Sequence, residues 1–437
     1  MKRVLLYALS ALLAFSGCDK DDNNLFEQSA NERMYAALAS YQQALETSQY
    51  GWNAQLVTSQ GGIYNFHFSF NNANRVKTFS DIDTTTASVE KESSYRLKAL
   101  QQPCLLFDTY TYLHILADPD AAVNGGDYGA GLYSDFEFSL DTLTADSIKL
   151  TGRQQGSKLI LRKSTQADLQ AWTSGTWRSS ILFQSTSAFI QQYFKVLTVG
   201  GTPYEIRINP LTRTITFIWI DGGTPKAFTT TYYFSSSGIE FTQPLVNGNT
   251  TIRYLSGLSW NTGTGIFQVN ANGNLAGTIA GANAPVANDA GAPLRWWNGA
   301  TGAGYWRSFD GFRANGITDA FGVKTLPGFQ FIIFFSEYQD VGGGLFVDLA
   351  GFYLNGSQGP GLYYGPAFQP PVFNNGRIYF TNFGVLGAAN IPANRAPFDN
   401  TRLQFLSTQG YYLVQTSAGS YDMVSAADSR RWITWVR

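Results

Sequence analysis

Two aromatic and basic clusters, Arg295-Trp296-Trp297 and Tyr305-Trp306-Arg307, flank the Gly-containing stretch Asn298 to Gly304. Flat aromatic faces stack on the apolar faces of sugars, and arginines hydrogen-bond hydroxyls or carboxylates, so these six residues form a candidate ligand-binding set. Large aromatics are mostly buried, which gives the same residues a second reading as core or as a seal between domains. Asp135 and Glu137 lie two apart on an expected strand and would share a face. Paired carboxylates are what glycoside hydrolysis uses, but neither residue has a cleft in view to desolvate it. Asp118, Asp120, Asn124 and Asp127 offer oxygens to calcium, yet their spacing leaves the EF-hand pattern after two ligands, and a solvated turn is the better reading. Gly129-Ala130-Gly131 lacks the third glycine and the following helix of a dinucleotide site.

Histidine limits the remaining chemistry, since the chain has only His67 and His114, both expected in strand interiors. An H-E-x-x-H zinc site is excluded, and a Ser-His-Asp triad lacks both a loop histidine and a G-x-S-x-G elbow. Cys104 sits in the apolar run Cys104-Leu105-Leu106-Phe107 and reads as a buried, inert thiol. No catalytic residue, metal or cofactor is expected. Nor is nucleic acid expected as a partner: the net charge is −1, and that role needs a basic patch.

The elements that must position these residues are predominantly strands. Charged residues make up 14% of the chain, against about 25% in ordinary soluble domains. Glycine and aromatics fill the difference, a mixture suited to strands joined by tight turns. Near the N-terminus, Ser29 and Glu32 form a capping box, and Met34, Leu38, Tyr41 and Leu45 place one apolar stripe on an amphipathic helix that Gly51 is expected to stop. From Trp52 the period changes to two, as in Phe66, Phe68 and Phe70. Strand-like runs, Thr109–Leu116 among them, then follow with short links such as Asp221-Gly222-Gly223 and Asn247-Gly248-Asn249. Short links indicate antiparallel neighbours, because parallel strands need a dozen or more residues per crossover.

The expected fold class is mainly β, with two or three antiparallel meander, barrel-like or sandwich units after the N-terminal helix. The expected divisions are a signal over 1–17, a tether over 18–28, a helix-plus-β domain over 29–165 and a second β domain over 166–270. A linker or long loop over 271–293, rich in Ala, Gly, Asn and Pro, precedes an aromatic-rich β domain over 294–437.

The first residues carry an address. Lys2 and Arg3 precede an apolar run of about a dozen residues, well short of the ~20 that span a bilayer as a helix, so it reads as a cleaved signal. Phe15-Ser16-Gly17-Cys18 resembles the bacterial lipobox, with Phe15 in place of the usual Leu, which makes Cys18 the expected lipidation site. Asp19-Lys20-Asp21-Asp22 is similar to the acidic export signal of Bacteroidota lipoproteins; its plain alternative is a solvated tether. Ser94-Tyr95-Arg96-Leu97-Lys98, Leu106 to Tyr110, Leu113-His114, Ala117 to Asp120, Ser134 to Phe138, and Lys149 through the turn to Lys158 form a further set. Through these residues the chain resembles, over about residues 25–165, a family of Bacteroidota lipoproteins known as a domain of unknown function.

That resemblance implies an outer-membrane setting beside SusC/SusD-type nutrient importers and supplies no catalytic residues. The expected protein is a non-catalytic lipoprotein, held on the membrane by its lipid anchor and facing the cell exterior, that binds or hands on a glycan or peptide nutrient. A hydrolase with an unrecognised carboxylate site and a structural or adhesive surface module remain alternatives.

Overall fold

The computed structural model describes residues 28–356 and 359–437. Cys18 and the tract Asp19, Lys20, Asp21 and Asp22 lie outside the described residues. The chain forms two compact units, one comprising residues up to Ser59, His67–Thr78 and Lys91–Gln166, the other comprising Gln60–Phe66, Phe79–Glu90 and Ala167–Arg437. Strands account for 49% of the residues and helix for 18%, so the protein is mainly β.

The N-terminal helix spans Ala30–Glu46 and begins with the expected capping box. Glu32 N donates to Ser29 Oγ at 3.2 Å while Ser29 N donates to Glu32 Oε2 at 2.8 Å. Its buried positions are Tyr41 and Leu45, and the Trp52 indole donates to the Leu45 carbonyl at 3.1 Å. The helix ends at Thr47 rather than at Gly51. Gly51, at φ 74°, instead lets the first strand pass beside its neighbour, where a Cβ would lie 2.5 Å from the Phe68 carbonyl oxygen.

The first eight strands close on themselves. They are β1 (Trp52–Val57), β2 (Ile63–Phe70), β3 (Arg75–Ser80), β4 (Lys91–Ala99), β5 (Pro103–Phe107), β6 (Glu137–Leu143), β7 (Ser147–Gly152) and β8 (Lys158–Lys163). β1 and β8 complete the barrel antiparallel, from Trp52↔Lys163 to Val57↔Lys158. Alternation puts Phe66, Phe68 and Phe70 inside. One expected strand, Thr109–Leu116, is instead a helix over Tyr112–Ala117. Thr111 caps it, the Thr111 N–H donating to His114 Nδ1 at 3.2 Å, and Leu113 and Leu116 are buried three apart, which a period of two cannot achieve.

A second barrel follows: β9 (Phe194–Val199), β10 (Thr202–Asn209), β11 (Thr214–Asp221), β12 (Thr224–Ser235), β13 (Gly238–Asn247), β14 (Thr250–Asn261), β15 (Ile266–Ala271) and β16 (Leu275–Ala282). Gly222-Gly223 and Gly248-Asn249 turn two of its hairpins, as expected. The stretch 271–293, expected as linker or loop, contains β16, the strand that joins β15 to β9 and closes the ring. Its poverty in large side chains reflects close approach: a Cβ on Gly277 would sit 2.7 Å from the Thr198 carbonyl oxygen. The interior is apolar, including Phe217, Trp219, Tyr232 and Phe267. Its outward rows carry threonine pairs, Thr216 with Thr229 at 2.8 Å and Thr231 with Thr242 at 2.6 Å, beside exposed Ile220, Val246 and Leu275.

The third sheet comprises β17 (Trp306–Ser308), β18 (Phe312–Ala314), β19 (Phe329–Asp340), β20 (Phe346–Gly356), β21 (Gly359–Asn374), β22 (Arg377–Leu386), β23 (Tyr411–Ser417), β24 (Ser420–Ser425) and β25 (Arg431–Val436). β25 pairs with β18 and, at Arg307↔Val436, with β17, so this sheet also returns to its first strand. Short helices over Ala292–Asn298 and Ala396–Phe405 send Trp296, Phe398 and Phe405 into its core.

Candidate functional site: an outward aromatic face

The six residues of the sequence-derived binding set part company at the surface of the third sheet. Trp296 is fully buried, its ring 4.5 Å from that of Phe334 and 5.7 Å from that of Trp435. Trp306 is buried as well and donates through its indole to the Trp296 carbonyl at 2.7 Å, with the Arg437 guanidinium 4.4 Å from the ring centre. These two tryptophans are core and offer no face to a ligand, which corrects their assignment as stacking residues. Arg295 is paired with Asp289 at 2.5 Å. Half-buried Trp297 donates to Asp348 Oδ2 at 2.8 Å and meets the Phe373 ring edge-on at 6.1 Å.

Tyr305 and Arg307 point the other way. Strand alternation turns Trp306 and Ser308 inward, leaving Tyr305, Arg307 and Phe309 outside. Register brings further aromatics beside them: Arg307 lies opposite Ile333, and Phe331 opposite Tyr353. The Arg307 guanidinium is 5.7 Å from the Tyr305 ring centre, 5.6 Å from Phe309 and 5.8 Å from Phe331. Phe331 stacks on Tyr353 at 4.6 Å and 11°, and Tyr305 and Phe335 are 5.9 Å apart. Tyr305 is 39% exposed and Phe309 47% exposed, so ring faces reach solvent. A cation among exposed rings contributes about 0.5–1 kcal/mol per contact and fixes the guanidinium in place. Phe309, Phe331, Phe335 and Tyr353 were missed in the sequence. The alternation within Phe329 to Phe335 is the available signal, but it leaves open which face is outward.

The carboxylates belong to structure. Asp135 precedes β6 and is buried; its oxygens accept from Gln154 N, Gln155 N, Ser157 N and Ser157 Oγ at 2.6–3.0 Å. It therefore clamps the β7–β8 turn and shares no strand face with Glu137, whose neighbour is Arg153 at 3.6 Å. Asp118 accepts from the Tyr110 hydroxyl and Asp120 N, Asp120 caps the helix at Ala121–Asn124, and Asp127 accepts from the Tyr133 hydroxyl. Among the described residues no group of three His, Cys, Asp or Glu is placed to hold a metal ion. His67 is a buried strand residue with Nε2 2.8 Å from the Tyr50 carbonyl oxygen, whereas His114 is helical and stacks on Phe136 at 4.5 Å. Burial lowers the His114 pKa.

Asp348 is the carboxylate with unusual electrostatics. Burial pushes its pKa up to about 6 although Trp297 Nε1 and Glu337 N both donate to it. Glu337 itself adopts φ 51°, at a bulge in the β19–β20 ladder, and its own charge adds to the upward shift.

Residues 22–262 match the family described as "Domain of unknown function (DUF4302)", which is more than half of the chain. The chain belongs to the DUF4302 family. The family match takes in the first barrel and ends just past β14, before the two strands that close the second; the aromatic face lies beyond it. No curated protein matches the chain. Among solved structures, an octameric penicillin-binding protein homologue from Pyrococcus abyssi aligns at 6% identity over 35% of this chain and 37% of that one, with a TM-score of 0.15. A likeness that slight carries no argument about the DUF4302 chain.

Proposed function

We propose that this protein is a non-catalytic, surface-exposed outer-membrane lipoprotein of the Bacteroidota type that binds or hands on a glycan or peptide nutrient beside a SusC/SusD-type importer. Lipidation at Cys18 and the export tract Asp19, Lys20, Asp21 and Asp22 supply the location in this reading. The observation that carries the binding role is the outward face around Tyr305, Arg307, Phe331 and Tyr353, where the Tyr305 and Phe309 rings reach solvent around the Arg307 guanidinium. Stacked rings around one fixed cation suit a ligand with apolar ring faces and polar edges. The hydrolase alternative is less well supported, because Asp348 is 1% exposed and both its oxygens already accept hydrogen bonds.

Replacing Tyr305 and Tyr353 together by Ala tests this reading. Retention on a panel of immobilised neutral glycans and peptides is expected to fall about 10-fold, the combined effect of two aromatic contacts of roughly 0.5–1.5 kcal/mol each, with the circular dichroism spectrum unchanged. A folded double variant that retains every ligand as well as the parent does would overturn the binding role of this face. Release of shortened products by the parent would favour the hydrolase.

A further inference from the structure

β17 and β18 lie against the same edge of β25 as one interrupted strand. Between the pairs Arg307↔Val436 and Phe312↔Ile433, four residues, Ser308 to Gly311, stand opposite only two, Thr434 and Trp435. The excess chain turns at Gly311, φ 62°, close against Val323, and beside it lies a cleft of about 310 Å³, lined by Ser308, Phe309, Asp310, Arg313, Thr434 and Val436. That volume suits a single ring rather than a polymer, being at the lower end of small-molecule sites.

The polar groups of the cleft are unevenly satisfied. Asp310 is neutralised by Lys324 Nζ at 2.5 Å. Asp422, behind the cleft on β24, accepts from the Tyr193 hydroxyl and from Thr434 Oγ1, each at 2.7 Å. Arg313 makes no hydrogen bond or ion pair among the described residues; its guanidinium lies 6.0 Å from the centre of the Trp432 ring, and Asp422 acts on it only through space. Ser308 turns its buried Oγ inward, where it has no hydrogen-bond partner among the described residues. Because Thr434 gives its proton to Asp422, its lone pairs are left to accept from a ligand hydroxyl. The free fork of Arg313 matches a carboxylate. Phe309 lines the cleft and is 47% exposed, although the Arg307 guanidinium and the Phe331 ring already meet its ring at 5.6 and 5.7 Å.

We infer that this cleft takes the carboxylate, one hydroxyl and a ring face of an acidic sugar. The inference rests on the glycan-binding reading and narrows it: Arg313 holds the carboxylate, Thr434 accepts from a hydroxyl, and Phe309 packs on the ring.

The test titrates the full-length, detergent-solubilised protein with D-galacturonate and with D-galactose, following binding by saturation-transfer NMR. Galacturonate is expected to bind saturably and at least 10-fold more tightly than galactose. Arg313→Gln should weaken galacturonate binding at least 10-fold and leave galactose within twofold, with Arg313→Lys in between; Thr434→Val should weaken both sugars several-fold. Equal affinity for the two sugars, absent galacturonate binding, or an Arg313→Gln variant that binds like the parent overturns the proposal. If Arg313→Gln does not fold, the parent's preference for galacturonate and the Thr434→Val result decide it alone. Neutral-glycan retention by the Tyr305 and Tyr353 face is measured on the same preparations. Retained neutral glycan without galacturonate binding thus rejects the cleft and leaves the broader reading standing.

Discussion

Asp348 shows how a single side chain in this protein couples burial to pH. With the folded pKa at about 6 and the ordinary aspartate value at 3.8, the carboxyl is protonated in folded and unfolded chains alike below about pH 4. As pH rises from there to about 6 the unfolded chain ionises first, so the stabilisation present at low pH is progressively lost. Above that range the loss is complete, at about 3 kcal/mol for a shift of roughly two units. Urea unfolding of the third sheet, followed by tryptophan fluorescence, should therefore show stability falling between pH 4 and 6. Asp348→Asn should flatten that dependence: it costs about 1–2 kcal/mol near pH 4, because one of the two donors, Trp297 Nε1 or Glu337 N, loses its acceptor, and above pH 6, where the parent has lost about 3 kcal/mol, the variant is the more stable by about 1–2 kcal/mol. Identical slopes in parent and variant would contradict the assignment. Little of this was legible beforehand. Asp348 sits in an apolar strand pattern that reads as core, and its partner Trp297 is 51 residues away. Asp135 was misread for a related reason: its two-residue spacing from Glu137 suggested a shared strand face, but β6 starts only at Glu137, and the Gly152 to Ser157 turn folds over the carboxylate.

At the scale of elements, local chemistry that acts over a few residues was readable, and anything requiring a partner strand was not. The Ser29 capping box and the Gly222-Gly223 hairpin follow from adjacent residue types. The Tyr112–Ala117 helix and β16 were misassigned because their evident sequence signals, a β-like apolar run in one case and a lack of large side chains in the other, say nothing about the neighbour they pack on. β16 tests this explanation through Gly277, with Gly263 in the exposed β14–β15 turn as the control. At Gly277 an added Cβ meets the Thr198 carbonyl oxygen at 2.7 Å and Val199 Cγ2 at 2.8 Å, whereas at Gly263 it meets only Asn261 Oδ1 at 3.4 Å. Gly277→Ala is expected to destabilise the second barrel by about 1–3 kcal/mol through overpacking, and Gly263→Ala to stay within about 0.5 kcal/mol of the parent, as surface changes usually do. Thermal melts of the two variants check it; equal costs would mean that close approach to β9 does not explain the small residues of β16.

In the second and third sheets the inside is filled with apolar side chains, so the proposed ligand contacts lie on an outward face and at a break in a ladder. In the proposed reading, that places weight on which way the protein faces and on what holds it to a membrane. Ser29, the cap of the first helix, is eleven residues from Cys18 in sequence, a length that spans at most about 40 Å even when fully extended. With acyl chains on Cys18, such a tether would keep the start of the first helix within that distance of the bilayer, in reach of an importer in the same membrane, and two or more acyl chains would make the attachment stable. Cys18→Ser should therefore move the protein from the membrane pellet to the soluble fraction without altering its circular dichroism. Protease added to intact cells should degrade the parent. Changing Asp19, Asp21 and Asp22 to Asn should protect the chain while leaving it in the pellet, because in the proposed reading retention depends on the lipid and export on the acidic tract. Protection of the parent under conditions that spare a periplasmic marker would remove the surface role, and the outward aromatic face would then have to serve a ligand already inside the outer membrane.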